Sequence, residues 1–357
     1  MRNIVVLYGG RSTEHEIALR SAKTVLNHLD RKKYRVYGYF ISKQGHFVER
    51  GEVLEEIIAP EDLVQHSDDS LLASVAKFCR FLDGLEAPLV FPVIHGQTGE
   101  DGEIQGFLQS LGVNYIGNRI MASALCMDKG FANQVLRESG LPKAPFFVLT
   151  RKELESSSEA DLIEKIRTVC SFPCFVKPCN NGSSVGVNRA DEKNLMEAIR
   201  EAMAYDNRIV IEKEIVGVEL ELSILGTNRP KSSQAGSYTS SREIFDYTAK
   251  YNDAQTVQNV PHYLDEEKLK EVQDLALRSY AALDCEGLAR VDIFMDKQGQ
   301  FYINEINTLP GMTPTSLAPK LWISLTGSTM SDYLDELVDY AEESLRRRQG
   351  IKTSWGQ

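Results

Sequence analysis

Two pairs of polar residues near the end of the chain have the spacing of side chains that share one face of a strand. Arg290 and Asp292 lie two positions apart, as do Glu305 and Asn307. Side chains alternate along a strand, so each pair faces one side, and a hairpin turn between them would bring the pairs together. Oxygen ligands of this kind are the ones that magnesium prefers. The spacing indicates a magnesium site, although a solvated strand face explains an isolated pattern equally well.

A second set of residues has the chemistry of a phosphate site. Lys177 ends an apolar run and is followed by a loop of small residues over 180–186, whose backbone N–H groups could approach a phosphate closely. Lys129 and Lys250 also stand among apolar or small residues, and with magnesium the three lysines could neutralise a triphosphate. The sequence contains neither a GxxxxGKS/T loop nor GxGxxG spacing. Taken alone, each lysine would more often lie on the surface.

His95 and Glu14 each follow an apolar run, at the edge where α/β sheets bind their ligands. His95 opens the glycine-rich loop 95–106, and Glu14 lies in the first turn of a predicted helix. Glu14 could pair with a substrate ammonium group or only complement the helix dipole. A single histidine is more often structural, but the position of His95 favours ligand binding.

The elements that must position these residues follow from hydrophobic periodicity. An apolar run over 3–8, a glycine turn and a capping-box pattern over 13–16 predict a strand, a turn and a helix. Further strands over 34–41 and 89–94, with a helix over 103–111, indicate a parallel α/β sheet. This first unit ends near residue 119.

The rest of the chain predicts two further units. Helices are expected over 122–138, 160–169, 192–205, 265–283 and 331–348, and strands over 146–149, 174–176, 209–211, 219–225, 288–295 and 300–306. The segment 226–261 is long and weakly periodic, so we expect a loop that acts as a lid. These patterns divide the chain into domains 1–119, 120–211 and 212–357.

Composition excludes several classes of protein. The 357 residues, 42% hydrophobic and 25% charged, fit a globular protein of two or three domains. The formal net charge of -11 argues against a nucleic-acid partner. We expect no membrane span and no targeting segment, because no apolar run is long enough. Six cysteines without a CxxC pair predict thiols and a cytoplasmic location.

Eight segments, taken together and in order, resemble the D-alanine:D-alanine ligase family of the ATP-grasp superfamily across nearly the whole chain. The resemblance implies an α/β and α+β architecture, in which an ATP-grasp fold of two subdomains follows an N-terminal Rossmann-like (pre-ATP-grasp) domain. The segments are LYGGRSTEHEIALRSA, HGQTGEDGEIQG, MDKG, FVKPCNNGSSVG, EKEIVGVELEL, FDYTAKY, GLARVDIF and NEINTLPGMTPTSL.

The resemblance assigns a role to each matching position in the nucleotide site. It implies ATP and two Mg²⁺ (or Mn²⁺) ions as cofactors, and it gives the glycine-serine loop, with Ser184, to closure over the phosphates. By this likeness the contacts are Lys129 and Lys177 for the α- and β-phosphates, Lys250 for the γ-phosphate, Glu212 for adenine, Glu219 for ribose, and Asp292, Glu305 and Asn307 for the metal ions.

The same likeness assigns the amino-acid sites. Glu14 resembles the residue that holds the ammonium of the first D-alanine, with His95 near its carboxylate. Ser183 and Tyr251 correspond to residues that link to Glu14 when the lid closes. The remaining positions are Gly311, Ser316 and Leu317, which border the second D-alanine, and Arg290, which stabilises developing oxyanions.

The implied reaction joins two D-alanines through an acyl phosphate, for peptidoglycan precursor synthesis, in a homodimeric enzyme. Two alternatives stay open at this point. The second substrate could be D-lactate or D-serine, although Tyr251 favours the dipeptide because depsipeptide-forming relatives carry His or Phe at that position. A non-catalytic nucleotide-binding regulator is disfavoured, since the catalytic lysines, acids and Arg290 are all present.

Overall fold

A parallel sheet forms the N-terminal part of the protein in the computed structural model, which describes residues 1–182, 184–239 and 257–352. Its strands are β1 (Arg2–Gly9), β2 (Tyr34–Ile41), β3 (Phe47–Glu52), β4 (Leu89–Val93) and β5 (Asn114–Tyr115), in the order β3-β2-β1-β4-β5. We call it the N-terminal sheet. Only β3 among these strands runs antiparallel to its neighbour. The predicted parallel α/β sheet is therefore confirmed, with β3 as an addition.

Three helices accompany this sheet: α1 (His15–His28), α2 (Leu71–Asp83) and α3 (Glu103–Ser110). α1 packs on β1, whose residues from Ile4 to Tyr8 are fully buried, as expected for a strand covered on both faces. The predicted capping box over 13–16 does not form. The N-cap is Glu14, and its side chain makes no capping hydrogen bond. Its carboxylate lines the cavity described below instead.

The helix predicted over 122–138 is two helices, α4 (Ile120–Met127) and α5 (Lys129–Glu138). Asp128 separates them because its backbone leaves the helical region, with ψ at 99°, and its Oδ1 accepts a hydrogen bond from the Phe131 N–H at 2.9 Å. A side-chain cap of this kind starts a new helix. The break places Lys129 at the first position of α5.

A second, antiparallel sheet, the central sheet, has the order β6-β9-β7-β8. Its apolar face packs against its helices through buried residues such as Leu149, Ile166, Ile199 and Ile211. The elements are β6 (Phe146–Thr150), α6 (Arg151–Ser156), α7 (Glu159–Val169), β7 (Cys174–Pro178), β8 (Asn188–Ala190), α8 (Leu195–Ala202) and β9 (Arg208–Lys213).

The third sheet, the C-terminal sheet, is antiparallel and has the order β13-β12-β10-β14-β15, with β11 beside β10. Three of its strands fall in 226–261, so the prediction of a loop was wrong for them. Strands of two to four residues are too short to leave a periodic pattern. The strands are β10 (Gly217–Gly226), β11 (Lys231–Ser232), β12 (Gly236–Thr239), β13 (Val257–Asn259), β14 (Gly287–Asp296) and β15 (Phe301–Asn307).

The predicted hairpin is formed by β14 and β15. Asp292 pairs with Glu305 and Arg290 pairs with Asn307, so the four polar residues meet as the spacing indicated. A β-bulge follows Asp292 and re-aims the strand at that point. On the other side of β14, Asp292 pairs with Glu221 of β10. The hairpin thereby gathers three carboxylates around one strand.

Three helices complete the described chain: α9 (Glu266–Ala282), α10 (Leu317–Thr326) and α11 (Met330–Gln349). α11 returns to the N-terminal sheet, where Tyr333, Leu334 and Leu337 share one hydrophobic core with Val6 and Leu26. The first and last parts of the chain therefore stabilise each other. Within the described ranges, no helix combines the length and apolar character needed to span a membrane.

Asn118 joins the end of the N-terminal sheet to the C-terminal sheet. Its buried side-chain amide donates to the carbonyl groups of Leu288 and, at 3.0 Å, Thr308, and its Oδ1 accepts from the Glu286 N–H at 2.8 Å. Three backbone groups thus depend on one side chain. Each would lose its partner in the protein interior if that side chain were removed.

We expect Asn118→Ala to lower the free energy of unfolding by about 2–4 kcal/mol, because it strands buried backbone groups. Urea denaturation would measure the loss. Asn228→Ala is the control, since the exposed Asn228 side chain bonds only to Glu343 among described residues, and it should cost less than about 0.5 kcal/mol. Equal effects of the two variants would contradict the role given to Asn118.

Candidate active site

A cavity of about 620 Å³ lies where the three sheets approach one another. The residues that line it come from the segments that follow β1 and β4, from α5, and from the central and C-terminal sheets, so no single sheet contains the site. The polar lining residues include Glu14, His95, Glu100, Lys129, Lys143, Lys177, Glu212, Glu219, Arg290, Asp292, Glu305 and Asn307. The structure therefore brings together most of the residues that the sequence singled out, and it adds Glu100 and Lys143.

Arg290 and Asp292 form a buried two-point ion pair on β14. Arg290 Nε donates to Asp292 Oδ1 at 2.7 Å and Nη2 donates to Oδ2 at 2.6 Å, while Glu221 Oε2 lies 3.2 Å from Nε. Burial opposes the charge, but Asp292 and Glu221 hold the pKa of Arg290 well above its ordinary value. Sequence reasoning missed Glu221, because its alternating strand gives no sign of its neighbour.

Asp292, Glu305 and Asn307, the residues predicted to bind metal ions, all line the cavity. Glu305 Oε2 lies 3.2 Å from Lys129 Nζ, and Asn307 Oδ1 accepts from the Leu309 N–H at 3.0 Å. In the described part of the chain no group of three or more His, Cys, Asp or Glu is placed to hold a metal alone. Two carboxylates and an amide nevertheless fit magnesium, which takes its other ligands from phosphate and water.

Glu212 is the centre of a buried cluster of lysines. Its Oε2 accepts from Lys177 Nζ at 2.6 Å, its Oε1 accepts from Asn133 at 2.7 Å, and Lys143 Nζ lies 3.6 Å from Oε1. Burial alone would raise the pKa of Glu212, but the two lysines outweigh it and lower the pKa to about 2. Glu212 therefore stays charged and accepts hydrogen bonds.

The loop 180–186 lies over the cavity next to Glu14. Asn181, Gly182 and Ser184 line the cavity, and the Asn181 carbonyl accepts from Lys129 Nζ at 2.8 Å. A Cβ on Gly182 would stand 3.2 Å from Glu14 Oε2, so the loop backbone passes close to that carboxylate. Ser183 lies outside the described residues, as do Lys250 and Tyr251. Their roles stay predictions.

His95 is held in one orientation by three neighbours. Its Nδ1 donates to the Leu309 carbonyl at 3.2 Å, and its Nε2 lies 2.8 Å from Ser21 Oγ. A carbonyl can only accept, so Nδ1 carries the proton and Ser21 donates to Nε2. Glu100 lies 3.5 Å from Nδ1, and burial together with the nearby Glu14 raises the pKa of Glu100. The position of Glu100 in the glycine-rich loop 95–106 was the sequence signal that could have identified this residue.

The residues expected around a second substrate divide into two groups. Gly311 lines the cavity, whereas Ser316 and Leu317 do not appear among the lining residues that the structure describes. Ser316 lies directly behind Gly311, since its Oγ would stand 2.7 Å from a Cβ at that position. Leu317 is buried at the start of α10. Ser316 therefore limits the space behind Gly311, and Leu317 packs in the interior next to it in the chain.

Glu219, near the start of β10, is the last of the predicted nucleotide contacts that the structure describes. Its Oε1 accepts a hydrogen bond from the Asn304 side-chain amide at 2.7 Å, and both residues line the cavity. Glu219 and Glu212 thus present two carboxylates to the same part of the cavity. One comes from the C-terminal sheet and the other from the central sheet.

Two mixed subdomains facing each other across a cavity of lysines and acids, behind a parallel α/β domain, define an ATP-grasp protein. The family models described as D-ala D-ala ligase N-terminus and C-terminus match residues 3–118 and 135–339. The chain belongs to the D-alanine–D-alanine ligase family. The resemblance noted in the sequence and the fold class are both confirmed.

Individual relatives agree with this assignment. A D-alanine–D-alanine ligase from Finegoldia magna is 39% identical over 98% of this chain and 99% of its own length. One from Thermoanaerobacter sp. (strain X514) is 42% identical, covering 96% and 97%. Among solved structures, the ligase from Coxiella burnetii aligns with TM-score 0.79 at 29% identity, covering 98% and 96%. A D-Ala:D-Ser ligase from Enterococcus faecalis aligns with TM-score 0.80 at 29% identity, covering 95% and 99%.

We expect Arg290→Met to lower the free energy of unfolding by about 3–5 kcal/mol at neutral pH, because it removes the cation beside Asp292 and Glu221. Urea denaturation in a chelator would measure this. The loss should shrink at acidic pH, because protonation of the two carboxyls removes the buried negative charges that Arg290 neutralises.

A matched control for this variant is available on the surface. Arg189 binds Glu214 in the same two-point manner, with Nε donating to Oε1 at 2.8 Å and Nη2 donating to Oε2 at 2.9 Å, but the pair faces solvent. Arg189→Met should cost no more than about 1 kcal/mol. If Arg189→Met lowered the free energy of unfolding as much as Arg290→Met does, burial of the ion pair could not explain the effect at Arg290.

Proposed function

We propose that this protein joins two D-alanine molecules to D-alanyl-D-alanine at the expense of ATP, as a step in peptidoglycan precursor synthesis. The observation that carries the proposal is the meeting of two kinds of group in one cavity. Lysines and hard oxygen ligands suited to a nucleotide stand beside Glu14 and His95, which suit an amino acid. The relatives named above support this choice of substrate.

In the proposed complex the nucleotide lies between the central and C-terminal sheets. Lys129 and Lys177 contact its phosphates, the loop with Ser184 covers them, and Glu212 accepts from the adenine amino group. Glu219 binds the ribose, and Lys250 contacts the γ-phosphate. The fixed orientations of Glu212 and Glu219 support these assignments, since each already accepts a hydrogen bond from a neighbouring amide.

Asp292, Glu305 and Asn307 would hold two Mg²⁺ (or Mn²⁺) ions beside the phosphates. Bound there, the ions neutralise the charge of the transferring phosphoryl group. Arg290 keeps Asp292 ionised and fixed in place through its two hydrogen bonds. The part of this chain in the metal site is therefore to keep hard oxygen atoms charged and aimed at the cavity.

Two chemical steps follow from this placement. The carboxylate of the first D-alanine, whose ammonium is held by Glu14 and whose carboxylate is near His95, attacks the γ-phosphorus, and ADP leaves. The amine of the second D-alanine then attacks the acyl phosphate carbonyl, and phosphate leaves after the amine loses a proton. The Arg290 guanidinium and the Gly311 N–H are the donors for the tetrahedral oxyanion. Positioning and charge neutralisation perform most of this work.

Exclusion of water from the active site is the role that we propose for the segment 226–261. An acyl phosphate hydrolyses unless it is sheltered. We assign this shelter to 226–261, with Ser183 and Tyr251 closing toward Glu14. The domain limits 1–119, 120–211 and 212–357 belong to the same proposal, except that β9 runs to Lys213 and so keeps Glu212 in the central sheet.

D-serine as the second substrate is the first alternative. The D-Ala:D-Ser ligase from Enterococcus faecalis aligns over 95% of the chain, so the shared fold does not separate the two activities. D-lactate is the other alternative. We assign the choice among the three to the shape of the cavity near Gly311, which Ser316 contacts and which Leu317 follows in the chain.

A cytoplasmic location and a homodimeric state also belong to this proposal. Five of the six cysteines are buried and all six are free thiols, which suits a reducing compartment. The homodimer rests on the family resemblance.

The test of function is phosphate release from ATP and magnesium, with products identified by mass. The substrates are D-alanine alone, L-alanine alone, and D-alanine mixed with D-lactate or D-serine. We expect D-alanyl-D-alanine from D-alanine alone. A mixed product formed in preference to it would assign the alternative second substrate. A folded protein that releases no phosphate with any of these would refute the ligase proposal.

We expect Glu305→Gln to lower kcat by about 10²–10³-fold, because it removes a charged metal ligand needed in the transition state. The unfolding free energy should change by less than about 1 kcal/mol. Glu271→Gln is the control, since Glu271 binds Lys268 on the surface of α9, and it should leave kcat unchanged. A near-normal kcat in Glu305→Gln would exclude the metal-binding role.

A further inference from the structure

Lys143 lies on the seam between the central and C-terminal sheets, in the linker between α5 and β6. Backbone hydrogen bonds attach this linker to one strand of each sheet. The Ile303 N–H of β15 donates to the Pro142 carbonyl at 2.9 Å, and the Lys213 N–H of β9 donates to the Pro145 carbonyl at 2.9 Å. The backbone therefore fixes Lys143 at the place where the proposed nucleotide enters between the two sheets.

The ammonium group of Lys143 is buried, with 3% of the side chain exposed. Its Nζ donates to the Asn304 carbonyl at 2.8 Å and lies 3.6 Å from Glu212 Oε1. Burial and the nearby Lys177 lower the pKa of Lys143 to about 8, while Glu212 and Glu305 act to raise it. A buried cation is costly, so its presence here needs a reason in the contacts it makes.

The contacts of Lys143 connect the two carboxylates proposed for base and ribose. On one side the ammonium faces Glu212, and on the other it binds the backbone of Asn304, whose side chain donates to Glu219 at 2.7 Å. No role in the family resemblance falls on Lys143. Its placement between Glu212 and Asn304 is a feature of this chain.

Lys177 cannot keep its hydrogen bond to Glu212 and also contact the nucleotide phosphates. In the structure it donates to Glu212 at 2.6 Å, yet the proposed function gives it to the nucleotide phosphates. If Lys143 were absent and Lys177 turned to the phosphates, Glu212 would keep only the Asn133 amide. It would then be a buried carboxylate with no adjacent cation. That state is unfavourable and would hold Lys177 back.

We propose that Lys143 is a positioning residue for the nucleotide: as the second cation beside Glu212, it stabilises that carboxylate and so releases Lys177 to the phosphates. This inference rests on the proposed nucleotide site. It differs from a structural role, in which the bond to Asn304 alone would matter. Removing the charge but keeping a hydrogen-bond donor separates the two.

Titration calorimetry with Mg-ADP is the experiment. Lys143→Gln keeps an amide donor for Asn304 but loses the charge, and Lys143→Met loses both. We expect each variant to bind ADP about tenfold or more weakly. Lys165→Met is the matched control, because it removes a lysine charge above the Phe147 ring outside the cavity, and it should change the affinity less than about twofold.

A double-mutant cycle tests the route through Glu212. In the Glu212→Gln background Lys177 is no longer held by a carboxylate, so Lys143→Gln should then weaken ADP binding less than about threefold. Full additivity of the two substitutions would overturn the proposal, as would wild-type affinity in Lys143→Gln. If Lys143→Met fails to fold, Lys143→Gln and the cycle still decide.

The binding experiment is independent of the ligase assay. Wild-type protein that binds ADP but forms no dipeptide refutes the proposed reaction, and the Lys143 variants can still be compared. Normal dipeptide formation with unchanged ADP affinity in Lys143→Gln refutes only the role of Lys143. The two failures are therefore distinguishable.

Discussion

The chemistry of this cavity depends on carboxylates that must stay charged although they are buried. Glu212 and Asp292 lie almost fully inside the protein, where a carboxylate without a cation would take up a proton. A neutral acid could not hold a divalent metal in the same way. Lys177 prevents this at Glu212, and Arg290 prevents it at Asp292. The cations are therefore needed for the acids before any substrate enters.

The same cations are the groups that a triphosphate requires. Lys129 lies between Glu305 and the Asn181 carbonyl, and Lys177 is bound to Glu212. Binding of a nucleotide thus exchanges partners among charges that are already in place, which limits the reorganisation that phosphoryl transfer demands. The strength of the existing pairs then opposes nucleotide binding, and neighbours such as Lys143 adjust the balance.

Local patterns in the sequence predicted the parts of the site that depend on local structure. The register of β14 and β15 followed from alternation and a short turn, and the structure confirms it. Glu221, Glu100 and Lys143 were missed because their roles depend on which strand or loop lies beside them, and strand order is not a local property. The prediction of a loop over 226–261 was wrong for three strands, because strands of two to four residues are too short to leave a periodic pattern. Roles for Ser183, Lys250 and Tyr251 stay predictions.

In the proposed complex the first and second substrate positions would not be independent, because one segment of backbone serves both. Residues 308–312 carry Gly311, and the N-terminal domain holds that segment at three points. Asn118 binds the Thr308 carbonyl, His95 binds the Leu309 carbonyl, and Ser21 accepts from the Met312 N–H at 3.1 Å. His95 is also proposed to face the first D-alanine, so a shift of its ring would move the Gly311 N–H. Under the proposed assignments, selectivity for the second substrate would therefore depend on the His95 loop as well as on Ser316 and Leu317.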